Sequence, residues 1–270
     1  MISVVIPCRG DIWLHKTIDG ICESFAGNYP YEIVVVQDEN IRPAINQAIE
    51  NSHGDYIIKT DSHCKFCPDF DTIMMDNYVE DTVMVARRYT LDLETWERSP
   101  RIVDYYYLSC PWTHPKGMMM QSCPWISKTE ANMNTPIDDL MCFQGSMWMM
   151  SRKHWNWLGG LETDDMVYAE HHEISMKTWL GGKRVLINKN AWYAHPAKIN
   201  RSYHMSMRQV YKDHDYSARY WTDNRWERQV HNFDWLIDKF WPLPTKNSRH
   251  RTEKYYWEED WKSRYYDRAL

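Results

Sequence analysis

The chain opens on a short β-branched run, residues 2–6, that stops at Pro7. This is the pattern of a buried strand. Leu14, Ile18, Ile21, Cys22 and Phe25 then recur at three- and four-residue steps, so residues 13–25 predict a helix with one apolar face. A second apolar run at 32–36 closes on Gln37-Asp38-Glu39-Asn40. Ala44, Ile45, Ala48 and Ile49 share the next helix face, Gly54 ends it, and residues 56–58 make a third strand. Strand, helix, strand, helix, strand predicts an α/β sheet of parallel, Rossmann type. Ligands of such sheets bind beyond the carboxyl ends of the strands. The segments 7–11, 38–40 and 61–63 all fall there.

The later pattern is less regular. Residues 82–86 predict a strand. The stretch 87–140 holds Tyr105-Tyr106-Tyr107, Met118-Met119-Met120 and two copies of Ser-Cys-Pro-Trp, ending at Trp112 and Trp125. Proline at these positions argues against regular central structure. It is read as two loops, each presenting a tryptophan either as a flap over the core or as a substrate lining. Residues 145–150 predict a strand, Arg152–Leu158 a short helix, and Gly159-Gly160 a turn. A helix over 168–180 starts with Glu170 and Glu173, which suit its N-terminus, and stops at Gly181-Gly182. Short strands at 183–187 and 191–194 lead to His195-Pro196. The remainder reads as helical to Phe240, with a break at Pro242 and Pro244. At 253–268, Tyr255, Tyr256, Trp257, Trp261, Tyr265 and Tyr266 fit one aromatic helix face.

A chain of 270 residues is long enough for one large domain with an appendage. The division expected is a catalytic unit over 1–205 and a helical extension over 206–270. The net charge of −5 signals no general affinity for polyanions. Its distribution is uneven, however: residues 196–270 carry 15 Lys and Arg against 11 Asp and Glu, while the rest is acidic. Seven cysteines, odd in number and irregular in spacing, argue for free thiols rather than a disulfide framework. The N-terminus is already a strand and no run approaches the length of a membrane span, so a soluble, cytoplasmic protein is expected.

Asp61-Ser62-His63 carries the most chemistry. Residues two apart on an extended segment point the same way. An Asp oxygen and a His nitrogen so placed can hold a divalent cation. A later histidine is available to complete the site.

The segments Ser3-Val4-Val5-Ile6-Pro7, 32–38, Arg42-x-Ala44-x-Asn46 and Gly54-Asp55-Tyr56-Ile57 through Asp61 together resemble a GT-A glycosyltransferase of family 2 type. Asp61-Ser62-His63-Cys64 is similar to the D-x-H-C of polypeptide N-acetylgalactosaminyltransferases and their bacterial and viral relatives. Residues 152–161, and 169–175 with Trp179-Leu180-Gly181-Gly182, resemble two further blocks of those enzymes. His195, Lys198 and Tyr203 resemble their third metal-ligand His and the basic and Tyr residues after it. The resemblance covers roughly residues 1–205.

It implies a GT-A, Rossmann-like fold and a UDP-sugar donor. Asp61, His63 and His195 would hold Mn²⁺ or Mg²⁺. Asp38 would contact uracil, with Pro7, Arg9 and Arg42 near the nucleotide. Lys198 and Tyr203 would close over the pyrophosphate, and Gly145 and Ser146 would border the sugar. Glu170 and Glu173 are the candidate catalytic carboxylates; Glu173 also fits a purely structural role. His171 stands where inverting family 2 enzymes carry an Asp base, a departure that favours retention of configuration. No lectin domain like that of the polypeptide transferases is expected within these residues, where an aromatic, basic tail follows the resemblance.

That tail interleaves aromatics with Arg and Lys, as in Arg219-Tyr220-Trp221 and Arg225-Trp226. Such mixtures suit base stacking with phosphate contact. The acceptor expected is therefore DNA carrying a hydroxymethylpyrimidine, as glycosylated by compact bacteriophage enzymes. Trp112, Trp125 and His171 are candidate acceptor contacts. A protein or glycan hydroxyl, a non-catalytic nucleic-acid-binding protein on a transferase scaffold, and a metal-dependent hydrolase are the alternatives.

Overall fold

The computed structural model describes residues 1–38, 40–112, 118–164, 166, 169–197, 206–245 and 256–262. Lys198, Tyr203 and most of the aromatic stretch 253–268 lie outside the described residues. Among the described residues, no helix is long and apolar enough to cross a membrane.

The predicted opening is present. Strands β1 (Ile2–Cys8), β2 (Tyr31–Gln37) and β3 (Tyr56–Thr60) are joined by helices α1 (Leu14–Ser24) and α2 (Ile41–Glu50). β1 is buried throughout and pairs in parallel with β2 on one side and β3 on the other. It runs past Pro7, where a stop was expected. The β3 ladder ends at Val5, so the missing N–H of Pro7 removes no ladder bond on that side. Ala44, Ile45, Ala48 and Ile49 are the buried apolar face of α2. Gly54 is required at the entry to β3, because a Cβ there would lie 2.6 Å from the Ser3 backbone nitrogen.

After β3 come β4 (Lys65–Phe66), α3 (Phe70–Asp76), β5 (Thr82–Leu91) and β6 (Arg98–Ile102). A ribbon of β7 (Tyr106–Leu108) and β8 (Ser122–Pro124) follows, then α4 (Ile126–Ala131) and β9 (Ile137–Asp139). The reading of 87–140 as two loops is corrected here. Pro124 sits at the very end of β8, where its missing donor costs nothing. The chain continues as β10 (Met147–Ser151), α5 (Arg152–Leu158), α6 (Glu170–Leu180) and β11 (Arg184–His195). The main sheet runs β2-β1-β3-β10-β5-β11-β4. It is mixed rather than purely parallel, because β10 enters antiparallel between β3 and β5. The two short strands expected after α6 are one strand. A register shift between Asn188 and Trp192 absorbs the polar break, and the Asn190 amide donates to Asn188 Oδ1 at 3.1 Å.

The C-terminal part holds α7 (Met207–Thr222) and α8 (Phe233–Phe240), interrupted where continuous helix was expected. Asn224 takes a left-handed φ of 54°, and its side chain accepts from the Phe233 amide at 2.9 Å. Trp221, Trp226, Phe233, Phe240, Trp257 and Trp261 are buried in the same core as Trp148, Trp155 and Trp179. The Trp257 indole donates to the Leu108 carbonyl at 2.7 Å. The described part of 253–268 is mostly a bridge and a turn, with Trp257 paired to Thr245.

Candidate functional site

The carboxyl ends of β3 and β11 meet at one point. The Asp61 amide donates to the Ser146 carbonyl at 2.9 Å, which fixes the end of β3 against the loop before β10. Asp61 Oδ2 then lies 3.2 Å from His195 Nε2 and 3.8 Å from His63 Nε2. The two Nε2 atoms are 3.1 Å apart. Ligand atoms in neighbouring positions around a divalent cation, with bonds of about 2.1 Å, are spaced by about 3 Å. The triangle therefore has the size and donor chemistry of one face of a metal site.

Asp11, to which the sequence pattern assigned no role beyond its place in the strand-end segment 7–11, sets the first of these rings. Its carboxylate accepts from His63 Nδ1 at 2.5 Å, from Ser62 Oγ at 2.7 Å and from the Trp13 amide at 2.9 Å. A carboxylate can only accept, so His63 carries its proton on Nδ1 and presents a lone pair at Nε2. Burial opposes ionisation of Asp11, but these three donors hold its pKa below the usual value. Burial pushes His195 down to about 4, against support from Asp61. His195 is thus neutral at pH 7, as a ligand must be. Arg88 Nη2 stands 3.3 Å from His195 Nδ1. A guanidinium only donates, so the metal-free ring carries its proton on Nε2 and directs it at Asp61. A cation at Nε2 requires the opposite tautomer and a small retreat of Arg88.

A second group adjoins this one. Glu170 opens α6 after Ala169, which takes a left-handed φ of 61°. Its carboxylate is 5% exposed and rests on Gly145; a Cβ there would overlap Glu170 Oε1 and reach within 3.1 Å of His171 Nδ1. His171 Nδ1 lies 3.8 Å from Glu170 Oε2. Burial would raise the Glu170 pKa, yet His171 and the Lys59 ammonium hold it below the usual range. Lys59, fully buried on β3, was also missed. Its Nζ donates to Asp61 Oδ1 at 2.5 Å and to the Gly145 carbonyl at 2.6 Å, and stands 3.9 Å from Glu170 Oε1. The available signal was a lysine inside an apolar strand, two residues before Asp61 and so on the same face.

The other expected residues divide. Pro7 is buried in β1, and Arg9 and Asp38 are half-buried at the strand ends; Asp38 Oδ1 accepts from the Asn40 amide at 2.8 Å. Ser146 is buried, with its hydroxyl 2.9 Å from Tyr193 Oη. Arg42, expected near the nucleotide, is fully buried at the start of α2. The phase of α2 turns it onto α6, where it is buried in an ion pair with Glu173 and donates to the Glu162 carbonyl. Glu173 also accepts from Lys177 Nζ at 2.6 Å and from the Glu162 amide at 3.2 Å, so it is a structural tie rather than a candidate catalytic group. Trp125 is 7% exposed and packs edge-on to Tyr107, while Trp112 packs edge-on to Trp257. Trp125 thus belongs to the core, while Trp112 packs against it and is half-buried.

No protein-family model matches the chain, and no curated protein matches it. Among solved structures, that of GalNAc-T7 with UDP, GalNAc and Mn²⁺ superposes with a TM-score of 0.66 at 15% identity, over 83% of this chain and 49% of that one. The chain has the GT-A glycosyltransferase fold. It spans about half the length of GalNAc-T7. S. aureus TarS in complex with UDP-GlcNAc matches with a TM-score of 0.47 at 11% identity, over 76% of this chain and 62% of that one. The Pyrobaculum calidifontis mannosyltransferase PcManGT, with GDP-Man and Mn²⁺, matches with a TM-score of 0.48 at 16% identity, over 75% and 58%. In the GT-A frame of this chain, Asp61, His63 and His195 stand at the carboxyl-end rim of the central sheet.

Proposed function

We propose that this protein is a metal-dependent glycosyltransferase that moves a sugar from a UDP-sugar to a hydroxyl acceptor. The observation that carries the reading is the Asp61–His63–His195 triangle at the strand ends of a GT-A sheet, with the Glu170 carboxylate adjoining it across Gly145. The donor set of one carboxylate and two imidazoles fits Mn²⁺, or Mg²⁺ less well. A bound cation supplies Lewis-acid stabilisation to the diphosphate leaving group.

The chain's own residues do the rest. Pro7, Arg9 and Asp38 border the nucleotide, with Asp38 as acceptor for the uracil imide. Gly145 lets the sugar approach the backbone, and Ser146 borders it. Glu170 accepts from a sugar hydroxyl and orients the anomeric carbon. His171 faces the acceptor side, and Lys198 and Tyr203, which lie outside the described residues, are proposed as pyrophosphate contacts. The configuration is retained: the bond from the anomeric carbon to the diphosphate breaks, and the acceptor oxygen bonds on the same face. The departing phosphate oxygen takes the acceptor proton.

For the acceptor we propose the hydroxymethyl group of a modified pyrimidine in bacteriophage DNA, with the base exposed to reach the sugar. The basic balance of residues 196–270 supports it. Among the described residues, Trp221, Trp226, Trp257 and Trp261 are buried and so are withdrawn from base stacking, which favours a protein or glycan hydroxyl as the second reading. A transfer assay with Mn²⁺, a panel of UDP-sugars and plain, hydroxymethylcytosine or hydroxymethyluracil DNA tests both, read as nucleoside mass. A hexose-sized or N-acetylhexosamine-sized gain on one modified nucleoside is expected. Metal-dependent turnover of the UDP-sugar with no gain on any DNA would move the acceptor to protein or glycan. No turnover of any UDP-sugar would overturn the transferase reading.

A further inference from the structure

Lys59 is an anomaly in its own element. It sits on a central strand, fully buried, between Ile58 and Thr60, which are themselves buried. A lone ammonium in such a place is very costly unless paired. Here it has two anionic neighbours that belong to different halves of the site. It donates to Asp61 Oδ1 at 2.5 Å and to the Gly145 carbonyl at 2.6 Å, and faces Glu170 Oε1 at 3.9 Å. The two oxygens of Asp61 are thereby divided. Oδ1 is taken by Lys59, and Oδ2 is left facing His195 and His63.

We infer that Lys59 is a positioning residue that couples the metal end of the site to the sugar end. Its grip on Oδ1 fixes the rotation of the Asp61 carboxylate, so that a single oxygen is presented to a cation. Its bond to the Gly145 carbonyl fixes the glycine on which Glu170 rests. Its charge keeps Asp61 and Glu170 from repelling each other in a space shut off from water. One buried cation thus sets the distance between the cation site and the carboxylate that orients the sugar. The inference deepens the transferase reading and rests on it for the sugar end; the metal end stands on the geometry alone.

The test uses the full chain and two variants. Lys59→Met removes both charge and donor at nearly constant volume; Lys59→Gln is one atom shorter and keeps a neutral donor. Mn²⁺ affinity is measured by calorimetry without any sugar nucleotide, and folding is checked by circular dichroism and melting. Expected is a Mn²⁺ Kd at least tenfold weaker in Lys59→Met and about fivefold weaker in Lys59→Gln. At saturating Mn²⁺, kcat should fall at least tenfold while KM for the UDP-sugar changes less than threefold. Lys59→Met combined with Glu170→Gln should be no slower than Glu170→Gln alone, since the two act through one group. Either folded single variant with wild-type Mn²⁺ affinity and wild-type kcat would overturn the inference, as would fully multiplicative effects in the double variant. If Lys59→Met fails to fold, Lys59→Gln carries the same decision. A wild-type protein that binds Mn²⁺, loses it in Asp61→Asn, and turns over no UDP-sugar would sink the transferase reading. The Mn²⁺ affinities would still decide the metal end of the Lys59 inference.

Discussion

Asp11 and Gly145 show how much a single residue decides in this site. Asp11 holds the His63 ring in the tautomer that leaves Nε2 open, by a bond of 2.5 Å to Nδ1. Outer carboxylates of this kind typically contribute 10–100-fold to metal affinity. Asp11→Asn should therefore weaken Mn²⁺ binding by about 10–100-fold, with little change in melting temperature; equal affinity in calorimetry would refute the role. Gly145 has no space for a side chain, because Glu170 occupies it. Gly145→Ala should displace Glu170 and lower UDP-sugar turnover at least tenfold while leaving Mn²⁺ affinity within about threefold, since the metal ligands lie on other segments. A matching loss of Mn²⁺ binding would show that the two ends cannot be separated at this position.

At the scale of elements, Arg152 links pieces that are far apart in the chain. Its guanidinium donates to the carbonyls of Gly54 at 2.7 Å and Ile49 at 2.9 Å, and to Ser52 Oγ at 2.8 Å. It thereby satisfies the carboxyl end of α2 and the turn into β3 from the first residue of α5. Arg152→Met removes these three hydrogen bonds, and should cost about 2–3 kcal/mol in urea unfolding. Arg152→Lys should recover only part of that, because an ammonium cannot span the fork. A loss under about 0.5 kcal/mol would mean that water replaces the bonds at no cost.

For the whole molecule, buried histidines set the acid limit, and burial holds His172 well below its usual value. Burial, reinforced by Lys183, pushes His154 down to about 4, and burial pushes His195 down to about 4, both from a usual 6.5. Between those values the unfolded chain binds protons that the folded chain does not. Stability is therefore full above about pH 6.5 and falls as pH drops toward 4, by on the order of 3 kcal/mol per group. Melting temperature followed from pH 7 to 4 should decline through this window, and less steeply in His154→Gln. The tail is the second global feature. Trp179, 1% exposed, packs edge-on to Phe240 at 5.3 Å. A chain cut to residues 1–205 would lay that face open to water, and should be insoluble or lose cooperative melting. A soluble, cooperatively melting fragment would establish 206–270 as a separable extension.

The sequence by itself determined the opening of the sheet and the pairing of Asp61 with His63 in the candidate cation site. Period-two and period-3.6 patterns need only local backbone geometry, and Asp61 and His63 share a face because they are two apart on one segment. His195 came in only through the family resemblance, because a histidine at a strand end is by itself more often structural. What only the tertiary structure decided was which groups meet across elements. Asp11 reaches His63 from the β1 end, and Lys59 reaches Glu170 across the β10 loop, by contacts 52 and 111 residues apart in the chain. No local period encodes such a pairing. The antiparallel insertion of β10, the turn of Arg42 onto Glu173 and the burial of the tail tryptophans were hidden for the same reason. Each depends on which face a neighbouring element offers, and the folded sheet alone supplies that face.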